Sequence, residues 1–163
     1  MRYAPERAFP PYAFVPGESP HPTRDPRGHS YGGDEEPAAY LLPERWRENV
    51  DYLYGVDLYN HGYLWEAHEA WEGLWHAAKQ DPLQADHLQG LIQCTAACLK
   101  IQMDQPRGLA RLAQLGTEKL GRVALESGGT FMGLDLVAFA QALRAFADSA
   151  PESNETRPRI ELG

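Results

Sequence analysis

The chain has 163 residues, 43% hydrophobic and 10% aromatic, which suits one domain with its own core rather than two. The formal net charge of −8 comes from 23 acidic and 15 basic residues, and residues 44–104 hold ten Asp/Glu against four Lys/Arg; such a surface repels phosphate and argues against nucleic acid as a partner. The longest nearly apolar stretch, Leu91–Leu99, carries Gln93 and Thr95 and is far short of a membrane span, and the start of the chain, with Glu6 and Arg7, has no apolar signal core, so a cytoplasmic protein with no membrane partner is expected.

Nine of the 13 prolines fall in residues 1–43, together with Gly17, Gly28, Gly32 and Gly33. No helical or strand period survives that density of breakers, so residues 1–43 are expected as an extended arm. Tyr3, Phe9, Tyr12, Phe14 and Tyr31 are too aromatic a set for a disordered tail. The arm is therefore expected to pack on the body through Phe9, Tyr12, Phe14 and Tyr31.

From residue 44 the pattern is helical. Trp46, Val50, Leu53, Tyr54 and Leu58 recur at helical spacing and Asn60-His61-Gly62 supplies a stop. A second helix runs from about Tyr63 to Lys79. Asp81-Pro82, with Gln84 completing a box-like cap, starts a third that runs to about Met103. Its two cysteines, Cys94 and Cys98, exclude a disulfide framework and read as small core residues beside Ala96, Ala97 and Leu99. Pro106 opens a fourth helix, with Leu109, Leu112, Leu120 and Val123, that ends at Gly128-Gly129; Asp135 caps a fifth, with Leu136, Phe139, Ala140, Leu143 and Phe146 on one face. Short connections imply antiparallel neighbours, and nothing competes as strand. The expectation is all-α: a single bundle of about five antiparallel helices over residues 44–150, with residues 151–163 a frayed tail.

The second helix carries the chemistry. At ~100° per residue, Leu64, Trp65, Trp71 and Trp75 form a broad apolar face, with His68 and Glu72 near its middle and one turn apart. Glu66 and Gly73 fall opposite and Glu69 at the edge. Ionisable groups in an aromatic stripe are costly unless paired or bound. Asp57, in the apolar stripe of the first helix, can approach them across a hairpin at Gly62. Asp57, His68 and Glu72 make a three-ligand set for zinc, manganese or iron. The string His68-Glu69-Ala70-Trp71-Glu72 also compares with the zinc-hydrolase pattern H-E-x-x-H, with Glu69 as general base and Glu72 in place of the second histidine. A di-iron site is less apt, because bundles of that type repeat Glu-x-x-His on two helices and this chain has no such pair.

The alternative is a buried His–Glu network without metal, in which His68 and Glu72 bond to Gln89 or Gln93 on a polar strip shared with Lys100. His21 and His29 of the arm can complete a site if the arm crosses the bundle mouth, or can be loop histidines bonded to backbone. His61, His76 and His87 read as solvated helix-end residues. Arg107, Arg111, Lys119 and Arg122 read as a solvated basic strip.

Asp57-Leu-Tyr-Asn-His-Gly62, then Glu66-Ala-His-Glu-Ala-Trp-Glu72 with Trp75, then Leu88-Gln-Gly-Leu-Ile-Gln93 resemble the bacterial and archaeal family catalogued as domain of unknown function 309. Its hallmark H-x-x-x-E-x-x-W/Y is matched by His68, Glu72 and Trp75, and Met132-Gly-Leu-Asp135 is similar to the start of its final helix. The resemblance covers about residues 50–147. Pro10-Pro11-Tyr12 through Pro20-His-Pro22 and Gly28-His-Ser-Tyr31 are similar to the lead-in of a longer subgroup. The resemblance implies an all-helical fold and a metal site at His68 and Glu72, in a family whose members are often labelled predicted metal-dependent hydrolases. Many members carry a histidine on the third helix where Lys100 stands here, followed by an Arg-Gly-Asn turn that here reads Pro106-Arg107-Gly108-Leu109. Lys100 would then repel a cation, or replace its charge beside Glu72.

Two functions follow as expectations. One is a divalent-metal protein, and through Glu69 a hydrolase of an unidentified substrate. The other is a non-enzymatic helical interaction or structural module. An unidentified small molecule or protein is the expected partner, with self-association left open.

Overall fold

A computed structural model describes residues 1–34 and 36–163. After the arm and a 3-10 turn at Pro43–Glu48, the elements are α1 (Val50–Asn60), α2 (Leu64–Ala77), α3 (Pro82–Gln102), α4 (Pro106–Ser127), β1 (Thr130–Phe131), β2 (Leu134–Asp135) and α5 (Leu136–Asp148). The chain is all-α apart from that small hairpin.

The caps follow the sequence. Asp81 Oδ1 accepts from Gln84 N at 3.1 Å and Asp135 Oδ1 from Ala138 N at 3.0 Å, each satisfying a donor that the helix start leaves free. Gly128, in the left-handed region at φ 78°, ends α4. The first helix begins later than expected: Asn49 caps it by accepting from Tyr52 N at 3.1 Å. Residues 43–48 coil tightly instead, which seats Trp46 in the core but leaves Val50 exposed. Nor is the region after α4 free of strand. Met132 and Gly133, both at positive φ, turn β1 back on β2, with Thr130 opposite Asp135.

The helices pack in chain order, α1 on α2, α2 on α3, α3 on α4 and α4 on α5. Between α3 and α4 the contact is a close one. A Cβ on Gly116 would lie 2.6 Å from Cys94 Sγ and 3.0 Å from the Gly90 carbonyl oxygen, so hydrogen-only side chains set the interhelical distance. Cys94 is free and buried there; Cys98, also free and buried, lies toward Tyr59 and Arg157 instead, and burial pushes its thiol up to about 12.

α1 is buried from Tyr52 to Asn60 on every side, as a central helix must be. Residues 1–14 cover one side: Phe9 stacks on Tyr63 at 4.9 Å, and Tyr54 Oη donates to Ala8 O at 2.8 Å. The C-terminal residues cover another, which corrects the expected frayed tail. Asn60 Nδ2 donates to Ile160 O and Asn60 Oδ1 accepts from Ile160 N, both at 2.8 Å; Tyr59 Oη donates to Pro158 O at 2.8 Å; and Leu162 bridges to Leu134. These paired backbone groups, with Ile160 buried, hold residues 157–163 against α1. In the arm, Phe14 is buried against Trp65, while Tyr12 supports His29 at 4.8 Å. Tyr31 is a correction: at 54% exposure it packs on nothing substantial.

Candidate metal centre and arm cleft

Glu66, Ala70 and Gly73 fall at i, i+4 and i+7 of α2 and so share a face. That face is roofed by the arm. Glu66 Oε1 accepts from Phe14 N at 2.8 Å and lies 2.9 Å from His29 Nε2. The two side chains are 6% and 4% exposed. His29 Nδ1 contacts Ser30 Oγ at 2.7 Å. Glu66 therefore does not face solvent as its helical angle suggested, because the arm supplies a second buried surface on that side.

His68 and Glu72 sit side by side, as their one-turn spacing requires, but not in the core. Their side chains are 28% and 41% exposed; of the three tryptophans of α2 only Trp71 is fully buried, while Trp65 and Trp75 lie half-buried. The buried stripe is Leu64, Ala67, Trp71 and Leu74, about a quarter turn from the expected centre. Glu69 joins the pair: His68 Nδ1 lies 3.3 Å from Glu69 Oε1 and 3.8 Å from Glu72 Oε2. His68 Nδ1 is itself sealed from solvent without a hydrogen-bond partner. One donor atom from each of His68, Glu69 and Glu72 falls within 4.8 Å of the others, and among the described residues no other trio of His, Cys, Asp or Glu does so. Bonds of about 2.0–2.2 Å place two zinc ligands up to ~4.4 Å apart.

Asp57 does not join that trio. It is fully buried as expected, but its oxygens accept from Tyr3 N and Ala4 N, each at 2.8 Å, with Arg2 Nε at 3.4 Å. The arm has taken its lone pairs. Lys100 also stands apart: its Nζ donates to Gln105 Oε1 at 2.9 Å at the end of α3, and its stem packs over Gly108. It is therefore not the counter-charge of Glu72. Gln89 accepts from Lys119 Nζ at 2.7 Å, so Lys119 is not merely solvated; Gln93 Oε1 is buried without a partner. No hydrogen bond joins either glutamine to His68 or Glu72 among the described residues. His21 Nδ1 accepts from Thr23 N and Arg24 N at 3.3 Å while its ring edges onto Trp65, the loop role weighed for it. His87, expected at a solvated edge, is fully buried beside Tyr52 and Phe131.

Between the arm and α1–α2 lies a cleft of about 910 Å³. Glu69 and Glu72 reach it from α2, His29 and Glu66 from its roof and wall, and Arg7 closes one end through Asp51 at 2.6 Å. The sequence missed Glu66 and His29 as partners. The signal was there in the small residues Ala70 and Gly73 beside Glu66, which leave room for a second segment on a face that reads as polar.

A helical bundle with a half-exposed His–Glu–Glu trio on its second helix is thus the class these features define. Residues 52–112, a segment that holds most of α1, all of α2 and α3 and the trio, match the family described as Domain of unknown function (DUF309). No curated protein and no solved structure matches the chain. No helix is long and apolar enough to cross a membrane among the described residues.

Proposed function

We propose that the protein binds a divalent cation, zinc, manganese or iron, on α2 through His68, Glu69 and Glu72. The convergence of their three donor atoms within 4.8 Å carries the reading. His68 Nδ1 supports it: it is sealed from solvent, makes no hydrogen bond and faces the oxygens of both carboxylates, at 3.3 and 3.8 Å. Glu69 changes role in this reading: a carboxylate that ligates the ion is not free as general base. A bound divalent ion would polarise a water or carbonyl oxygen as a Lewis acid, the chemistry of a metal-dependent hydrolase. The arm cleft alongside then offers the substrate a place next to Glu69 and Glu72.

The test uses tag-free protein dialysed against each metal and assayed for bound ion. About one equivalent is expected for wild type, with a sharp loss in Glu72→Gln and His68→Ala while the helical circular-dichroism signal persists. Background metal in wild type, or equal loading of the variants, sinks the proposal.

One observation favours the second reading, a non-enzymatic module. The buried His–Glu pair of this protein is His29–Glu66, and it ties the arm to α2. Melting that is indifferent to chelator, in protein that takes up no metal, supports that reading.

A further inference from the structure

His29 and Ser30 are fixed by the fold of the arm. Tyr12 Oη donates to Pro20 O at 2.7 Å and accepts from His29 N at 3.1 Å, and Ser30 N donates to Pro22 O at 2.9 Å. Gly28 lets this loop close on itself: a Cβ there would lie 2.3 Å from the carbonyl oxygens of His21 and Pro22. The loop sets the imidazole between two oxygens. His29 Nε2 is 2.9 Å from Glu66 Oε1, and Nδ1 is 2.7 Å from Ser30 Oγ.

Those contacts assign the protons. A carboxylate only accepts, so Nε2 of a neutral His29 carries the hydrogen and Nδ1 holds the lone pair. The Ser30 hydroxyl then donates to Nδ1. Ser30 is exposed and lines the arm cleft, whereas the His29 and Glu66 side chains are 4% and 6% exposed. A reachable hydroxyl is thus bonded to a buried base, which is in turn oriented by a carboxylate: nucleophile, base and positioning group in a row. Among the described residues, Phe14 N and His29 are the only hydrogen-bond partners of the Glu66 side chain, so its charge is available to balance an imidazolium.

We propose that Ser30 is the nucleophile of a metal-independent acyl-transfer site, with His29 as its base and Glu66 as the positioning residue. Ser30 Oγ forms a bond to the carbonyl carbon of an ester while its proton passes to His29 Nδ1. The C–O bond to the alcohol breaks, the alcohol leaves with that proton, and an acyl-Ser30 ester remains. Water, giving its proton to Nδ1 in turn, cleaves this ester to the free acid, and the proton returns to Ser30 Oγ. The surroundings define the substrate class. The N–H groups of Ser30 and Tyr31 are spent on Pro22 O and Gly28 O, so the backbone beside the nucleophile does not hold an oxyanion, and esters with good leaving groups are substrates rather than peptides. Glu36, Glu69 and Glu72 on the same cleft repel anionic acyl groups and favour neutral or cationic ones.

The experiment treats full-length protein with a neutral alkyl fluorophosphonate, from which a serine Oγ displaces fluoride at phosphorus, and follows p-nitrophenyl acetate turnover beside it. About one equivalent of label on Ser30, located by mass spectrometry, and loss of ester turnover on labelling are expected. Ser30→Ala, a change at an exposed side chain, is expected to keep the melting temperature, take no label and lose the turnover. His29→Gln is expected to slow labelling roughly a hundredfold or more, the contribution of a general base. Glu66→Gln is expected to slow the bond-forming step at saturating probe roughly tenfold or more with probe affinity unchanged, a split that a merely loosened arm does not produce. EDTA and His68→Ala are expected to change neither labelling nor turnover, so this inference and the metal proposal fail separately. Label on Ser30 no faster than on the other serines, ester turnover kept in Ser30→Ala, or equal labelling rates in wild type and His29→Gln overturns the inference.

Discussion

Tyr52 has a single hydroxyl hydrogen, and it goes to the Met132 carbonyl oxygen at 3.1 Å. His87 Nε2, 3.2 Å from the same hydroxyl, must then be the donor, which leaves Nδ1 bare and buried without a partner. Protonation would place a charge in the core, and burial holds His87 down at about 3 from its ordinary 6.5. The unfolded chain gains a proton below about pH 6.5 that the folded chain refuses, so stability falls as pH drops from 6.5 toward 3. Between pH 7 and pH 5 this loss should reach roughly 2 kcal/mol. Urea unfolding at the two pH values checks it: His87→Phe should lose about that much less than wild type. An equal loss in both proteins would show that another group sets the acid response.

At the scale of elements, the α3–α4 contact is the most sensitive. Gly116→Ala inserts a methyl group where backbone and Cys94 Sγ already lie within 3 Å of it; overpacking of this kind costs about 1–3 kcal/mol. Gly121→Ala on the same helix meets nothing within 4 Å and should stabilise slightly, by less than ~1 kcal/mol. Thermal melts of the pair give the comparison, and similar shifts for both would mean the helices separate freely. Helix starts and stops were legible because caps such as Asp81 and Asp135 act locally. The trio on α2 was half legible: the spacing of His68 and Glu72 placed them together, but the depth of each depended on what covers the helix. Asp57, Glu66 and His87 show the same limit. Their burial comes from the arm, from β1 and from Tyr52, segments far away in sequence, and helical angle cannot report a surface that another segment supplies.

At the scale of the molecule, α1 is a buried axle held by segments from both ends of the chain. Asp57 takes backbone N–H groups 54 and 53 residues away, and Asn60 takes the Ile160 backbone 100 residues away. The α3–α4 hairpin, by contrast, closes through a short turn. Loop-closure entropy opposes the long-range contacts until the intervening chain is ordered. The order of assembly expected from this has the hairpin and α2 coming together first and the terminal segments locking around α1 last. Asn60→Ala should therefore speed unfolding, while the refolding rate stays nearly constant, because bonds absent from the transition state load on the unfolding limb. Stopped-flow rates across a denaturant series measure both limbs; slowed refolding with unchanged unfolding would place the C-terminal strap in the folding nucleus. The consequence for the living protein is kinetic. If Asn60→Ala speeds unfolding as expected, the segments that clasp α1 are a latch whose release, rather than melting of the helices, sets how long one folded molecule lasts.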